Sequence, residues 1–210
     1  MKRLVISAAL AICAATPVFA GQKSAVFAGG CFWCVEKDFE AVPGVIEATS
    51  GYIGGSKSTA TYKQVSGGNT GHYEAVRIVY DDSKISYAQL VNLFFRSVDP
   101  TDAGGQFCDR GASYRTAIFA KNADETKAAE AEKRKAGEEL GRKVVTPILS
   151  AKSFYPAEAY HQDYYKSSKK VLTRFGLITK AKAYKRYRKA CGRDAKVKQL
   201  WGGTWTSAGS

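Results

Sequence analysis

The alternation of apolar and polar positions divides the chain into short elements. Residues 24–28 form a brief apolar run that Gly29 and Gly30 break, which predicts a strand. After it, Phe32, Val35, Phe39 and Val42 recur at helical spacing, and Pro43-Gly44 stops the helix predicted over 31–41. Residues 45–52 predict a second strand, and the alternating stretch 74–80 a third. Ser86 is placed to cap a helix running to residue 98, with Leu90, Val91, Phe94 and Phe95 on its inner face. A strand over 114–120, an Ala/Lys/Glu-rich and mostly exposed helix over 123–140, and a strand over 144–149 follow. The order β-α-β-β-α-β predicts an α+β fold, a two-layer α/β sandwich with a ferredoxin-like (βαββαβ) core. Two long Gly-rich and polar loops, 54–73 and 99–113, lie at strand ends, where function usually concentrates.

The ends change the picture. Met1-Lys2-Arg3 is basic, residues 4–15 are almost unbroken apolar, and Pro17-Val18-Phe19-Ala20 supplies a cleavage site. This order predicts a signal peptide over 1–20, removed on export, and a periplasmic location. Ile12 before Cys13 argues against a lipoprotein leader. The remaining 21–210 suit a single domain, and the lack of a second long apolar run predicts no stable membrane anchoring after cleavage. The formal charge of +13 loses two units with Lys2 and Arg3. The excess lies late, in 166–170 and 180–193. Residues 181–189 predict a helix with a solvated basic face, a basic C-terminal extension rather than a nucleic-acid site.

Removing 1–20 leaves Cys31, Cys34, Cys108 and Cys191. In an oxidising compartment these are paired or redox-active. Cys31 and Cys34 sit in Gly-Cys-Phe-Trp-Cys-Val-Glu, where the first strand hands over to a helix. The free N–H groups and positive dipole end there favour a thiolate, so Cys31 is expected to be the more reactive. Cys34 falls one turn later on the same face, within reach of a disulfide. Several readings fit this pair. A zinc site needs a second CxxC or a His pair, which Cys108 and Cys191 do not form. Haem attachment needs His where Val35 stands. A dithiol–disulfide exchanger and a purely structural bridge both remain open.

The chain also resembles the class A peptide methionine sulfoxide reductases. The resemblance rests on GCFW at 30–33, Pro43-Gly44-Val45, Gly51-Tyr52, Thr61-Tyr62, Gly71-His72-Tyr73-Glu74, Asp109-Arg110-Gly111, Ser113-Tyr114-Arg115 and Glu158-Ala159-Tyr160-His161-Gln162, in order over about residues 24–170. It implies attack of Cys31 on the sulfur of a methionine S-sulfoxide. Glu74 would serve as the acid, Tyr62 and Tyr114 as hydroxyl donors to the sulfoxide oxygen, and Phe32 and Trp33 as a pocket for the terminal methyl group. Asp109 would bind the substrate amide or organise its loop. A sulfenic acid on Cys31 would then condense with a second thiol, and a thioredoxin-like reductant would reopen the disulfide. The substrates would be oxidised proteins and small methionine sulfoxides. No metal or organic cofactor is implied, and a monomer is expected.

The chain departs from the family where a resolving cysteine often stands. Its tail, 201–210, keeps glycines but has no cysteine, while Cys34 replaces a common glycine. Cys34 is the nearest candidate to resolve the sulfenic acid. Cys191 is second, and Cys108 is third or a pair for Cys191.

Overall fold

The computed structural model describes residues 21–203; the predicted signal peptide and the tail 204–210 lie outside them. β1 (Gln22–Gly29) leads into α1 (Phe32–Glu40) and β2 (Val45–Ile53). The segment expected to be a loop contains a 3₁₀ turn, Lys57–Thr59, and α2 (Tyr62–Ser66), whose first turn is capped by Thr61 accepting from the Gln64 N–H. β3 (Tyr73–Asp81) and α3 (Tyr87–Arg96) follow, the latter held at its start by a reciprocal Ser86–Gln89 capping box. β4 (Gly105–Gln106) and β5 (Asp109–Arg110) make a small ribbon within the second long loop. β6 (Thr116–Ala120) and α4 (Ala123–Leu140) come next, then β7 (Ile148–Ser150) and β8 (Phe154–Pro156). A hairpin, β9 (Lys170–Thr173) and β10 (Gly176–Thr179), precedes α5 (Lys180–Ala190) and α6 (Arg193–Trp201).

The main sheet runs β7-β6-β1-β3-β2-β8. All pairs are antiparallel except β6 with β7, so the sheet is mixed and the fold is α+β. Alternation along β1 sorts its side chains. Ala25 and Phe27 join the core beneath α1 and α3, with Phe39 and Phe94 ring centroids 5.5 and 5.0 Å from that of Phe27. Val26 and Ala28 face the opposite side, where a smaller cluster with Ala75, Ala117 and Phe119 forms.

Two expected boundaries shift for local reasons. Tyr114 ends a 3₁₀ turn, Ala112–Tyr114, and the strand starts only at Thr116. Residues 144–147 are not strand: the Val145 N–H goes to the Pro100 carbonyl instead, and Pro147 has no N–H to give. The short β8, the β9–β10 hairpin and α6 are not among the expected elements. Nor is α5 simply solvated. Arg188 pairs with buried Asp38 of α1, and the next helix begins with Arg193, 2% exposed, which donates to the carbonyls of Gly29 and Ser97. Val197 and Trp201 enter the main core. Among the described residues no helix is long and apolar enough to cross a membrane.

Candidate active site

Gly30 makes the handover from β1 to α1 possible. Its φ is +82°, and a Cβ there would lie 2.6 Å from the Cβ of Gln106. Buried Gln106 in turn closes the second long loop, donating to the Asp99 and Gly105 carbonyls and accepting from the Asp99 N–H. Cys31 then occupies the N-cap position of α1, and its carbonyl accepts from the Cys34 N–H at 3.0 Å. The Phe32 N–H, one of the free donors at this helix start, is taken by Glu74 Oε2 at 3.1 Å. Glu74 reaches it from β3, the strand paired with β1 in the middle of the sheet, and is 2% exposed.

Burial is the main force on this carboxyl and pushes its pKa up to about 8, with the nearby Asp109 adding to the rise; the Phe32 N–H and Tyr114 oppose it. Cys31 and Cys34 carry free thiols, hydrogen-bonded to each other. Cys31 is pushed up by donating to Cys34, by burial and by the negative charges of Glu74 and Asp109. Cys34 is pulled down to about 7 by that same hydrogen bond, against burial and with help from Arg193 and Arg188. The two thiols thus share one proton, and the negative charges of Glu74 and Asp109 work against a thiolate on Cys31. Glu74 has claimed the Phe32 N–H, and both arginines assist Cys34.

The aromatic residues form one connected set. The Trp33 ring stacks on Tyr164 at 3.8 Å, and its Nε1–H donates to His161 Nδ1 at 3.2 Å. His161 also packs on Tyr62 (4.3 Å) and Phe32 (5.1 Å). Burial pushes the His161 pKa down to about 4, which keeps the ring neutral and able to accept from Trp33. Tyr62 is fixed through its backbone, its N–H donating to Glu158 Oε1, while Tyr52 donates to the other carboxylate oxygen. Burial raises the pKa of Tyr62 to about 12 and that of Tyr114 further still, so both hydroxyls keep their protons.

A cavity of about 630 Å³ gathers these groups. Cys31, Phe32, Trp33, Cys34, Tyr62, Glu74, Asp109 and Tyr114 all line it, with Cys108 and Cys191 on the same wall. Cys108 and Cys191 are joined by a disulfide, so the loop carrying Asp109 is covalently tied to the end of α5.

The family model described as peptide methionine sulfoxide reductase matches residues 23–193. The chain belongs to this family. It is 50% identical over 183 residues to peptide methionine sulfoxide reductase MsrA 2 of Rhizobium meliloti, covering 87% of this chain and 85% of the relative. It is 48% identical over 209 residues to MsrA 2 of Caulobacter vibrioides, covering 97% and 100%. Among solved structures it is similar to reduced Mxr1 of Saccharomyces cerevisiae, with a TM-score of 0.65 and 32% identity over 68% of this chain and 83% of that one. Methionine sulfoxide reductase A of Corynebacterium diphtheriae gives a TM-score of 0.61 at 29% identity, over 69% and 74%.

In this family member every residue singled out from the sequence thus lies at one cavity. Several that organise it were not singled out. Glu36, the last residue of the opening motif, is buried and accepts from the Ser50 hydroxyl and, at 2.6 Å, from the Asp163 N–H. It thereby fixes α1 to the loop that carries His161 and Tyr164. Glu158 and His161 were visible as part of a matching motif, yet nothing in their spacing revealed that one anchors Tyr62 and the other Trp33. Arg188 and Arg193 sit within a basic run that reads as surface.

Proposed function

We propose that this chain reduces methionine S-sulfoxide, protein-bound and free, to methionine. The observation that carries the reading is the buried Glu74 carboxyl, pushed up to about 8 and held at the base of Cys31 by the Phe32 N–H. A carboxyl that keeps its proton near neutral pH can donate it to a sulfoxide oxygen. Cys31, as thiolate once its proton has moved to or through Cys34, attacks the sulfur. The oxygen, hydrogen-bonded by Tyr62 and Tyr114, takes the proton of Glu74. The hydroxyl then passes from the methionine sulfur to the Cys31 sulfur as the S–O bond and the transient S–S bond break, leaving methionine and a Cys31 sulfenic acid. Cys34 then attacks the sulfenic sulfur, water leaves, and a Cys31–Cys34 disulfide remains. A thioredoxin-like dithiol reopens it. Phe32 and Trp33 receive the terminal methyl group, and Asp109 faces the substrate backbone.

Cys34 is the resolving residue in this reading because its thiol is hydrogen-bonded with that of Cys31, whereas Cys191 is engaged by Cys108. The four strands ordered β6-β1-β3-β2, with α1 and α3 between them in sequence, support a ferredoxin-like core. The basic-apolar-small order of residues 1–20 supports export to a periplasm, with 21–210 acting as one monomeric domain.

The test is a single turnover of fully reduced protein with L-methionine S-sulfoxide and no added reductant. Wild type should form methionine and lose two thiols. Cys34→Ser should still form methionine but stop at a sulfenic acid. Absence of methionine from wild type would end the reductase reading.

A further inference from the structure

The β9–β10 hairpin is apolar on both faces. Val171 and Ile178 are direct cross-strand partners and pack inward on the cluster that contains Cys34, Tyr164 and Tyr184. The next pair, Leu172 and Leu177, must point the opposite way. These two leucines are 79% and 64% exposed. A two-stranded hairpin with one face packed normally presents polar side chains to water on the other. Here the outward pair is leucine on leucine, and it stands beside the site: Val171, Leu172 and Arg174 line the cavity that holds Cys31. A polypeptide whose sulfoxide sits at Cys31 therefore meets this apolar rim with a residue near the oxidised methionine.

We propose that the outer face of the β9–β10 hairpin is a docking arm for unfolded polypeptide, holding an aliphatic side chain that flanks the oxidised methionine. The inference rests on the reductase reading above and adds a substrate preference to it. Flanking aliphatic residues are accessible only when the oxidised protein has lost its local packing. The arm thus selects damaged, opened chains over folded proteins and over the free amino acid, which has no flanking residue to offer. Leu172 is part of the cavity wall and Leu177 extends it as the cross-strand partner, which favours this occupant.

The experiment measures single-turnover methionine formation by the full reduced chain without reductant. Three substrates are compared: free L-methionine S-sulfoxide, a blocked heptapeptide with leucines flanking the oxidised methionine, and the same peptide with serines. Wild type should use the leucine peptide about tenfold more efficiently than the serine peptide, the worth of one well-buried leucine. The variant Leu177→Ser, at the leucine of the pair that does not line the cavity, should lose most of that preference while its rate on the free amino acid stays unchanged, which also shows that the variant is folded. Retention of the leucine preference in the variant would overturn the proposal, as would an equal loss on all three substrates. A defect confined to multiple turnover with a thioredoxin-like reductant would overturn it too and assign the hairpin to the reductant. If wild type made methionine from none of the three, the reductase reading itself would fall.

Discussion

At the scale of single residues, the proposed reaction depends on two protons that titrate in opposite senses. The Cys31–Cys34 pair must lose one proton to supply a thiolate, and the Cys34 end of the pair sits at about 7. Glu74 must keep its proton, and it holds it up to about 8. The rate of methionine formation in a single turnover should therefore rise with pH through about 7 and fall above about 8. Replacing Glu74 by Gln should abolish the falling limb and slow the reaction by about 10²–10³-fold, within the range ascribed to a positioned acid. A stopped-flow pH profile of both proteins checks this; a falling limb that survives in Glu74→Gln would assign it to another group. Much of the site's chemistry was legible because it sits in short, spaced motifs. What was not legible was the state of charge. The sequence shows a cysteine at a helix start, but only the folded chain shows that Glu74, from a strand more than forty residues away, takes the Phe32 N–H that would otherwise stabilise a thiolate there.

At the scale of elements, the C-terminal helices are part of the body rather than an appendage. Asp38 is 1% exposed, meets Arg188 at 2.9 Å, and has Arg193 Nε 3.8 Å from its other oxygen. Arg193 also binds the Gly29 carbonyl, one residue from the turn that presents Cys31. Truncation of Arg193 leaves two buried carbonyls without their donor and weakens the compensation of a buried carboxylate. Arg193→Ala should cost about 3–5 kcal/mol in a urea titration. Arg193→Lys should cost less, because it keeps the charge and loses the forked geometry. The periodic reading found α1, α3 and the central strands because each buries one face and so repeats its apolar residues regularly; α4 was legible from its Ala/Lys/Glu composition and packs chiefly on α3 through Ala129 and Ala136. It missed β9, β10 and α6. The first two are four residues each between cationic runs, and α6 shows only Val197 and Trp201 as its buried apolar pair. An arginine that is buried is spelled the same way as one that is not.

At the scale of the whole molecule, the Cys108–Cys191 bond closes a loop across 83 residues. Constraint of the unfolded chain by a loop of that size is worth about 4.5 kcal/mol in the chain-entropy account. Mild reduction, or Cys108→Ser, should therefore lower the melting temperature by about 10 °C for a domain of this size. Differential scanning calorimetry with and without a thiol reductant tests it. An unchanged melting temperature would mean that the packing of α5 and α6 already holds that segment without the bond.

The same bond makes a ring of everything between α5 and the loop beside Asp109, including α4, β8 and the hairpin with its exposed leucines. A protease that cuts once anywhere in that ring opens the backbone but releases no fragment. The nicked protein would run as one band on a non-reducing gel and as two after reduction. A cut chain of this kind keeps its cavity wall attached to the segment that carries Cys31 and Cys34.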